Sequence, residues 1–528
     1  MITFDSLTLK AFVQENKSWL SGAKIQKIQQ PTRRDLIFSI RKLGESKKLY
    51  INISPQLYHI CFMRKENEAK RRIEIPKKPP MFCMLLRKYL ENAQISDVAQ
   101  PQNERIFELH IQTNNELEEN IYLCLAVELM GKHSNVILYN KTTGIIIGCA
   151  HNVGAEKSRE RELAGTLPYI YPPKQSKIDL LNYNGKIDYN TLSNDFYMFS
   201  SHFGKLCGGQ NLESLKNYVM LKTLTPVISN DYSQFCLFKE LLPDSIIKNS
   251  VNEMIDDYFA YYQETEKFKS LKNHFLTLCN QRLKRTNNSI DKMKNQIAKE
   301  ADCDKYRLYG DLIMANLYSN KDYSEKIQVF DYENNREIVI DLDETKTLKD
   351  NAAKFYKLYN KGKTSKLKLT ELSQSLEQTR EYLEQLKYSI VSSKTYEDLI
   401  EIKSEITDTE NTKTEAHKAT EPEKIIEGDY TIYIGKNNRQ NDYIVSKLSK
   451  DEDLWFHTKD CAGSHVLLKG ENPADEMILK CAKLAKEYSS ASNSSKVGII
   501  YTKRKYLKKP PKTNLGYVTY RNEKEIVV

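Results

Sequence analysis

The sequence predicts an α+β multidomain protein, and three observations predict it. Short β-rich runs alternate with turns over residues 1 to about 175, two heptad-patterned stretches lie about seventy residues apart, and a compact mixed pattern returns after residue 425. At a prior of roughly 150 residues per domain, 528 residues suit three or four domains.

In the first segment, 1–177, strands are expected at KIQKIQQ, DLIFSIRK, KKLYINIS, RIFELHIQ, IYLCLAVELM and SNVILYNKTTGIIIGCA, the last turning as a hairpin at Lys141–Gly144. Pro79 and Pro80 precede a helix whose Phe82, Leu85, Leu86, Tyr89 and Leu90 keep helical spacing. From 178 to 262 the strand signal fades, and SLKNYVMLKTLTPVI and FCLFKELL read as short helices of a small helical module. Over 263–404, Leu276, Cys279, Leu283, Thr286, Ile290, Met293 and Ile297 form one 3,4 seam. Leu369, Leu372, Leu376, Thr379, Leu383, Leu386 and Ile390 form a second. Two equal seams predict a long antiparallel coiled coil with a small tip domain at about 306–345, where Asn334 and Asn335 turn KIQVFDYENNREIVIDL back on itself. Residues 405–424 read as a linker, and 425–528 as a C-terminal α+β domain with a helix at PADEMILKCAKLAKEYS and a short terminal hairpin.

Composition narrows the function. Lys and Arg number 80, the net charge is +10, and 33 tyrosines supply flat rings beside the cations, which suits a phosphate backbone and its bases. The ten cysteines have no zinc-knuckle spacing and read as reduced core thiols. MITFDSLTLKAF carries an early acid and no apolar export segment, and no apolar run reaches about 18 residues, so a cytoplasmic protein is expected.

The densest chemistry lies in DEDLWFHTKDCAGSHV, residues 451–466. A metal site would need His457, Asp460, Cys461 and His465 to converge, and no later Cys/His pair completes the set. Ser464 and His465 are neighbours, whereas a catalytic triad is assembled from separated segments. The alternative is a β-hairpin with Leu454, Phe456, Val466 and Leu468 facing a core, Gly463 in a tight turn, and Trp455, His457 and Lys459 exposed on the other face to stack on bases and meet phosphate. His465 and the basic run from Lys503 to Lys512, with Lys503, Arg504, Lys505, Lys508 and Lys509, lie in the same segment and complete the expected RNA-binding set. No catalytic residue, metal ligand or cofactor is expected.

These stretches resemble a known family. DEDLWFHTKDCAGSHV looks like the signature of the NFACT-R domain, KPPMFCMLLRKYL and VELMGKHSNVIL look like NFACT-N, and KYRLYGDLIMANLY and DNAAKFYKLYNK resemble the segments flanking the coiled-coil tip. The match to the NFACT family, and to its bacterial RqcH group, runs the length of the chain in order. Such members bind a large (50S) ribosomal subunit obstructed by peptidyl-tRNA, recruit alanyl-tRNA, and support template-free C-terminal alanine tailing that marks the chain for degradation. The resemblance implies the same partners here: the 50S subunit, tRNA-Ala, rRNA and a small RNA-binding quality-control protein, with no membrane and with peptidyl transfer left to the ribosome. It also implies a tRNA-binding set. The family's Asp-Arg pair matches Glu104-Arg105, the acid being one methylene longer, and Glu128, Leu129, Met130, Lys132 and His133 match an element near the anticodon-reading surface. The first two segments are further similar in layout to formamidopyrimidine-type DNA glycosylases, whence the expectation of a helix-hairpin-helix-like module. Met1-Ile2-Thr3 offers no proline amine nucleophile for that chemistry. An older family label, fibronectin-binding protein, supplies the rival reading of a surface adhesin.

Overall fold

A computed structural model describes residues 4–114, 119–156, 158, 160–300, 303–318, 323–406, 421–511 and 513–528. It divides into two compact units, Met1–Lys267 and Phe268–Val528.

The first unit is built on a nine-stranded antiparallel sheet. Its strands are β1 (Lys24–Thr32), β2 (Asp35–Lys42), β3 (Glu45–Asn52), β4 (His59–Met63), β5 (Gln94–Ala99), β6 (Ile106–Asn114), β7 (Asn120–Glu128), β8 (Asn135–Asn140) and β9 (Ile146–Cys149), in the order β4-β3-β2-β1-β5-β6-β7-β8-β9. Two-residue loops join β1 to β2 and β2 to β3, and β5, the next strand after β4, pairs back on β1. Asn140 Oδ1 accepts from the amides of Thr142 and Thr143, and Gly144 adopts φ +73°, which closes the expected turn at Lys141–Gly144. A helix at Ser6–Leu20, absent from the elements expected above, starts where the Asp5 carboxylate accepts from Thr8 N at 2.8 Å, and it buries Leu9 and Phe12. The expected helix spans Met81–Leu90 and buries Cys83, Leu86 and Leu90. A buried pair, Arg71 and Asp256 at 2.5 Å, ties the short helix Lys65–Arg71 to the start of the long helix Val251–Glu300.

The segment expected to be helical carries helices at Ser201–Leu206 and Leu212–Val219, but also a three-stranded sheet of Val227–Ser229, Phe235–Cys236 and Ser245–Ile247. SLKNYVMLKTLTPVI is therefore helical only in its first part. Pro226 offers no N–H to continue a helix, and Val227 and Ile228 are fully buried β-branched residues that suit a strand. FCLFKELL likewise divides into a strand and a single 3-10 turn, Lys239–Leu241.

In the second unit the long helix runs on to Glu300, and a 45-residue helix, Leu348–Ser392, returns antiparallel to it. A helix at Asp304–Ala315 and a hairpin of Lys326–Asp331 with Arg336–Asp341 lie between them, and Asn335 takes φ +48° in the hairpin turn. The two seams are sealed unevenly. Cys279, Leu383, Leu386 and Ile390 are buried, whereas Leu372 is 47% exposed. The difference has a cause the heptads do not contain: a third helix, Tyr396–Ile406, adds Leu399, Ile402 and Ile406 to the buried end. Most of the expected linker, residues 407–420, lies outside the described residues.

The C-terminal part is a six-stranded sheet in the order Glu423–Glu427, Tyr430–Ile434, Val466–Lys469, Leu454–Thr458, Gly498–Lys503, Lys524–Val527. Helix Asp475–Glu487 covers one face through Cys481, Ala482 and Ala485. NDYIVSKL is helical, continuing Asn438–Tyr443 through Leu448. The terminal strands do not form a hairpin with one another: Thr519–Tyr520 pairs with Leu507–Lys508, and Lys524–Val527 pairs with Gly498–Lys503. No helix of the described residues is long and apolar enough to cross a membrane.

Candidate nucleic-acid interface

The first unit carries an open cleft of about 1310 Å³, and four of the seven expected tRNA-binding residues, Arg105, Met130, Lys132 and His133, line it. Strand β7 ends at Glu128, and the chain then makes a single 3-10 turn at Gly131–His133, with Gly131 at φ +65° and Ser134 Oγ accepting from Met130 N at 2.9 Å. The turn lifts Lys132 and His133 into solvent and leaves Met130 half-buried. Arg105 leans on Tyr58, donating to its hydroxyl at 3.0 Å with the guanidinium 5.8 Å from the ring centre. That contact fixes a long side chain before any ligand arrives.

The other three residues of the set are placed differently. Leu129 is fully buried in the main core. Glu128 is fully buried and held by Arg161, whose Nη1 donates at 2.8 Å while Nη2 bonds the other carboxylate oxygen, and by the Tyr169 hydroxyl at 3.0 Å. Glu104 is buried; its Oε2 accepts from Gln175 Nε2 at 3.0 Å, and its Oε1 has no hydrogen-bond partner among the described residues. Only the exposed members are therefore within reach of a ligand, while Glu128 and Leu129 shape the turn.

The cleft also gathers cations outside the expected set. Arg33 and Arg34 form the two-residue loop between β1 and β2, both exposed, and His151 sits beside them. Burial and the nearby charges of Arg34 and Arg33 lower the pKa of His151. The adjacent arginines in QQPTRRD, at the tip of an alternating hairpin, are the signal that marks this loop in the sequence. One further group in this unit has metal-ligand geometry: Glu108, His110 and Cys124, from β6 and β7. Its atoms are engaged with one another and with neighbours, since Glu108 contacts His110 Nε2 at 3.0 Å and accepts from Tyr171 at 2.6 Å, while burial pushes the Cys124 thiol up to about 12.

In the second unit, DEDLWFHTKDCAGSHV forms two paired strands, with Leu454 opposite Leu468 and Phe456 opposite Val466, and these face the core as expected. Gly463 does not make the turn through a positive φ; Asp460 does, at +59°. Gly463 is instead required by close approach, because an added Cβ would lie 2.8 Å from Thr458 Oγ1 and 3.0 Å from Ser489 Cβ. Gln385 of the returning helix Leu348–Ser392 reads the Gly463 backbone reciprocally, accepting from its N–H at 2.7 Å and donating to its carbonyl at 2.8 Å.

The second face corrects the expectation of an exposed ring row. Trp455 is 1% exposed, packed with Ile444, Val445, Leu467 and Leu507, and His465 is 4% exposed. Strand alternation divides side chains between two faces but does not say that both faces are covered. Here helix Asn438–Tyr443 with its extension and the strand at Leu507 cover the second one. His457 is half-buried, its ring stacked on Trp455 with centroids 5.7 Å apart, and Lys459 is exposed and paired with Glu525 at 2.7 Å. Glu452 pairs with both Lys503 and Lys505 at 2.7 Å, and those lysines hold its carboxyl at about 2. Lys509 bonds Asp442 and Arg504 donates to the Val445 carbonyl at 2.8 Å, while Lys508 is exposed; Lys512 lies outside the described residues.

Burial lowers the pKa of both His457 and His465, so the folded unit holds neutral imidazoles. The unfolded chain takes up protons near pH 6.5 that the folded one refuses, so these residues contribute full stability above that pH and lose it as the pH falls below it. Urea unfolding at pH 7.5 and 5.5 is expected to show the loss, at up to about 1.4 kcal/mol per pH unit for each histidine.

Comparison with known proteins places the chain. Residues 5–198 and 210–424 match the NFACT N-terminal and middle domains, and residues 424–522 match the NFACT protein RNA binding domain. The chain is 28% identical over 566 residues to the Rqc2 homolog RqcH of Bacillus subtilis, covering 100% of this chain and 98% of that one. It is 26% identical over 548 residues to the Rqc2 homolog RqcH of Streptococcus pneumoniae, with the same coverage. A solved structure, the N-terminal part of the fibronectin/fibrinogen-binding protein from Streptococcus suis, aligns with 49% of this chain and 99% of its own at 25% identity and a TM-score of 0.43.

Proposed function

The chain belongs to the NFACT family, and from that premise we propose that it is a cytoplasmic ribosome quality-control factor that binds obstructed large subunits carrying peptidyl-tRNA. In this reading it recruits tRNA-Ala for template-free alanine tailing, with a small RNA-binding quality-control protein as partner, and it is no enzyme, because the ribosome performs peptidyl transfer. The supporting observation is the cleft of the first unit, where Arg105, Lys132 and His133 meet Arg33 and Arg34 around the half-buried Met130. Five basic side chains on one concave surface suit a folded RNA, with guanidinium groups for phosphate and base edges and a thioether for a stacked base. The long helices, 50 and 45 residues, rise about 75 and 68 Å and suit a factor that spans a large assembly. Glu104, Glu128 and Leu129 act in this reading as supports of the tRNA surface.

Charge reversal at both loop arginines, Arg33→Glu with Arg34→Glu, tests the cleft. Binding of deacylated tRNA to the purified protein, measured from 50 to 200 mM salt, is expected to weaken, and the slope of log affinity against log salt to fall by about 0.9 for each phosphate that is no longer neutralised. An unchanged slope would remove the loop from the interface.

A further inference from the structure

Glu108, His110 and Cys124 stand on one face of the nine-stranded sheet. Glu108 and His110 are two residues apart on β6, His110 pairs across to Cys124 of β7, and Cys124 pairs on to Tyr139 of β8. One ligand atom from each of the three, a carboxylate oxygen, an imidazole nitrogen and the thiol sulfur, lies within 4.8 Å of the other two. In a tetrahedral zinc site the ligand atoms are roughly 3–4 Å from one another, so a small contraction brings these three to that spacing.

A second observation asks for a cation here. Glu108 is 4% exposed, on the sheet face that carries the apolar cluster of Ile106, Cys124, Ala126 and Ile137. Buried carboxylates are paired with a cation or bind a metal, because an ionised group alone in an apolar setting is costly. Glu128, on the same face of β7, has Arg161. Glu108 has only His110 as an ion-pair partner among the described residues, at 3.0 Å, and an imidazole is charged only when protonated. The Tyr171 hydroxyl donates to Glu108 Oε1 at 2.6 Å and leaves Oε2 to face the imidazole.

We infer that Glu108, His110 and Cys124 bind one zinc ion, through the carboxylate, an imidazole nitrogen and the thiolate, with the fourth position left to water. The mixed oxygen, nitrogen and sulfur set selects zinc over magnesium or calcium, which take oxygen ligands. Burial holds the Cys124 thiol at about 12, so the ion displaces its proton, and uptake releases that proton to solvent. His110 Nε2 faces Glu108 while Nδ1 lies 3.1 Å from Lys141 Nζ. The ammonium donates to Nδ1 and leaves the ring hydrogen on Nε2. Zinc at Nε2 needs the opposite tautomer, so Lys141, exposed on the hairpin turn, competes with the ion and swings aside when it binds. The site joins β6 to β7 four residues before Glu128, and the ion would brace the strand that ends at the turn carrying Lys132 and His133.

The test titrates Co2+, a spectroscopic stand-in for zinc, into the full chain after dialysis against a chelator. Expected are one Co2+ per chain, visible bands of tetrahedral intensity and a near-ultraviolet thiolate-to-cobalt band, all lost when Zn2+ is added. Calorimetry in two buffers should read about one proton released per ion, that of the thiol. Cys124→Ser and His110→Gln are each expected to weaken the ion by at least about tenfold, and Cys461→Ser, in the other unit, to leave it unchanged. Cys124 is a core position, so if its variant does not fold, the half-buried His110 supplies the deciding variant. Lys141→Ala removes the competing ammonium from outside the ligand set and is expected to tighten Co2+ about tenfold. An unchanged or weaker affinity in that variant would take His110 Nε2 out of the set and overturn the site. Absence of the cobalt bands would overturn it too, as would bands that survive His110→Gln, which would place the ion on other cysteines.

Discussion

Alanine at Arg161 is expected to destabilise the first unit by about 3–5 kcal/mol, the usual cost of leaving one partner of a buried ion pair without the other. The Glu128 side chain is wholly buried and that of Arg161 is 11% exposed. Arg161 also donates to the Ile170 carbonyl at 2.8 Å, so it joins the end of β7 to the segment that follows β9. Without it, the carboxylate keeps, among the described residues, the Tyr169 hydroxyl alone, and the turn that presents Met130, Lys132 and His133 loses its anchor. Urea unfolding of the purified variant measures the effect. Lys132→Ala, two positions beyond Met130 and exposed, provides the contrast: its stability should stay within about 0.5 kcal/mol of the parent while its tRNA binding falls. The pair of results would separate residues of one short motif that hold the surface from those that meet the ligand.

Alanine at Arg105 is expected to reduce tRNA affinity about tenfold or more and to leave large-subunit binding unchanged. Arg105 lies in the cleft with its guanidinium already held against Tyr58, so little rotamer entropy is lost when a base edge or phosphate arrives. Its partial exposure and its hydrogen bond to a single tyrosine predict a small stability change, so loss of binding would not be loss of fold. Filter binding of tRNA and co-sedimentation with purified subunits read the two effects separately. Tyr58→Phe, which removes the 3.0 Å bond but keeps the ring, should give a smaller loss in the same direction.

Much of this architecture is written locally. Alternation in DLIFSIRK and IYLCLAVELM, the Pro80 helix start and the Asn334-Asn335 turn each depend on a few adjacent residues, and each has its counterpart in the fold. What the sequence hides depends on residues far apart in the chain. Trp455 is buried because Leu507, some fifty positions on, and the helix before it close over its face, and no pattern within DLWFHTK announces that cover. Leu372 and Leu386 occupy equivalent seam positions, yet only Leu386 meets a third helix. VMLKTLTPVI has enough apolar residues for a helix, and Pro226 with two β-branched residues decides otherwise. In the candidate site the exposed cations are legible as charges. The division of Glu104, Glu128 and Leu129 from Arg105, Lys132 and His133 is not, because it depends on Gln175, Arg161 and Tyr169 returning to the sheet.

The proposed role in ribosome quality control requires the protein to hold both subunit and tRNA. Affinity purification of the tagged protein from its own cells in low salt, followed by sequencing of the bound RNA, tests it most directly. Large-subunit rRNA is expected together with one dominant tRNA, tRNA-Ala, with the tRNA and not the rRNA lost in Arg105→Ala. Recovery of no RNA at all would contradict it and turn attention to the surface adhesin reading.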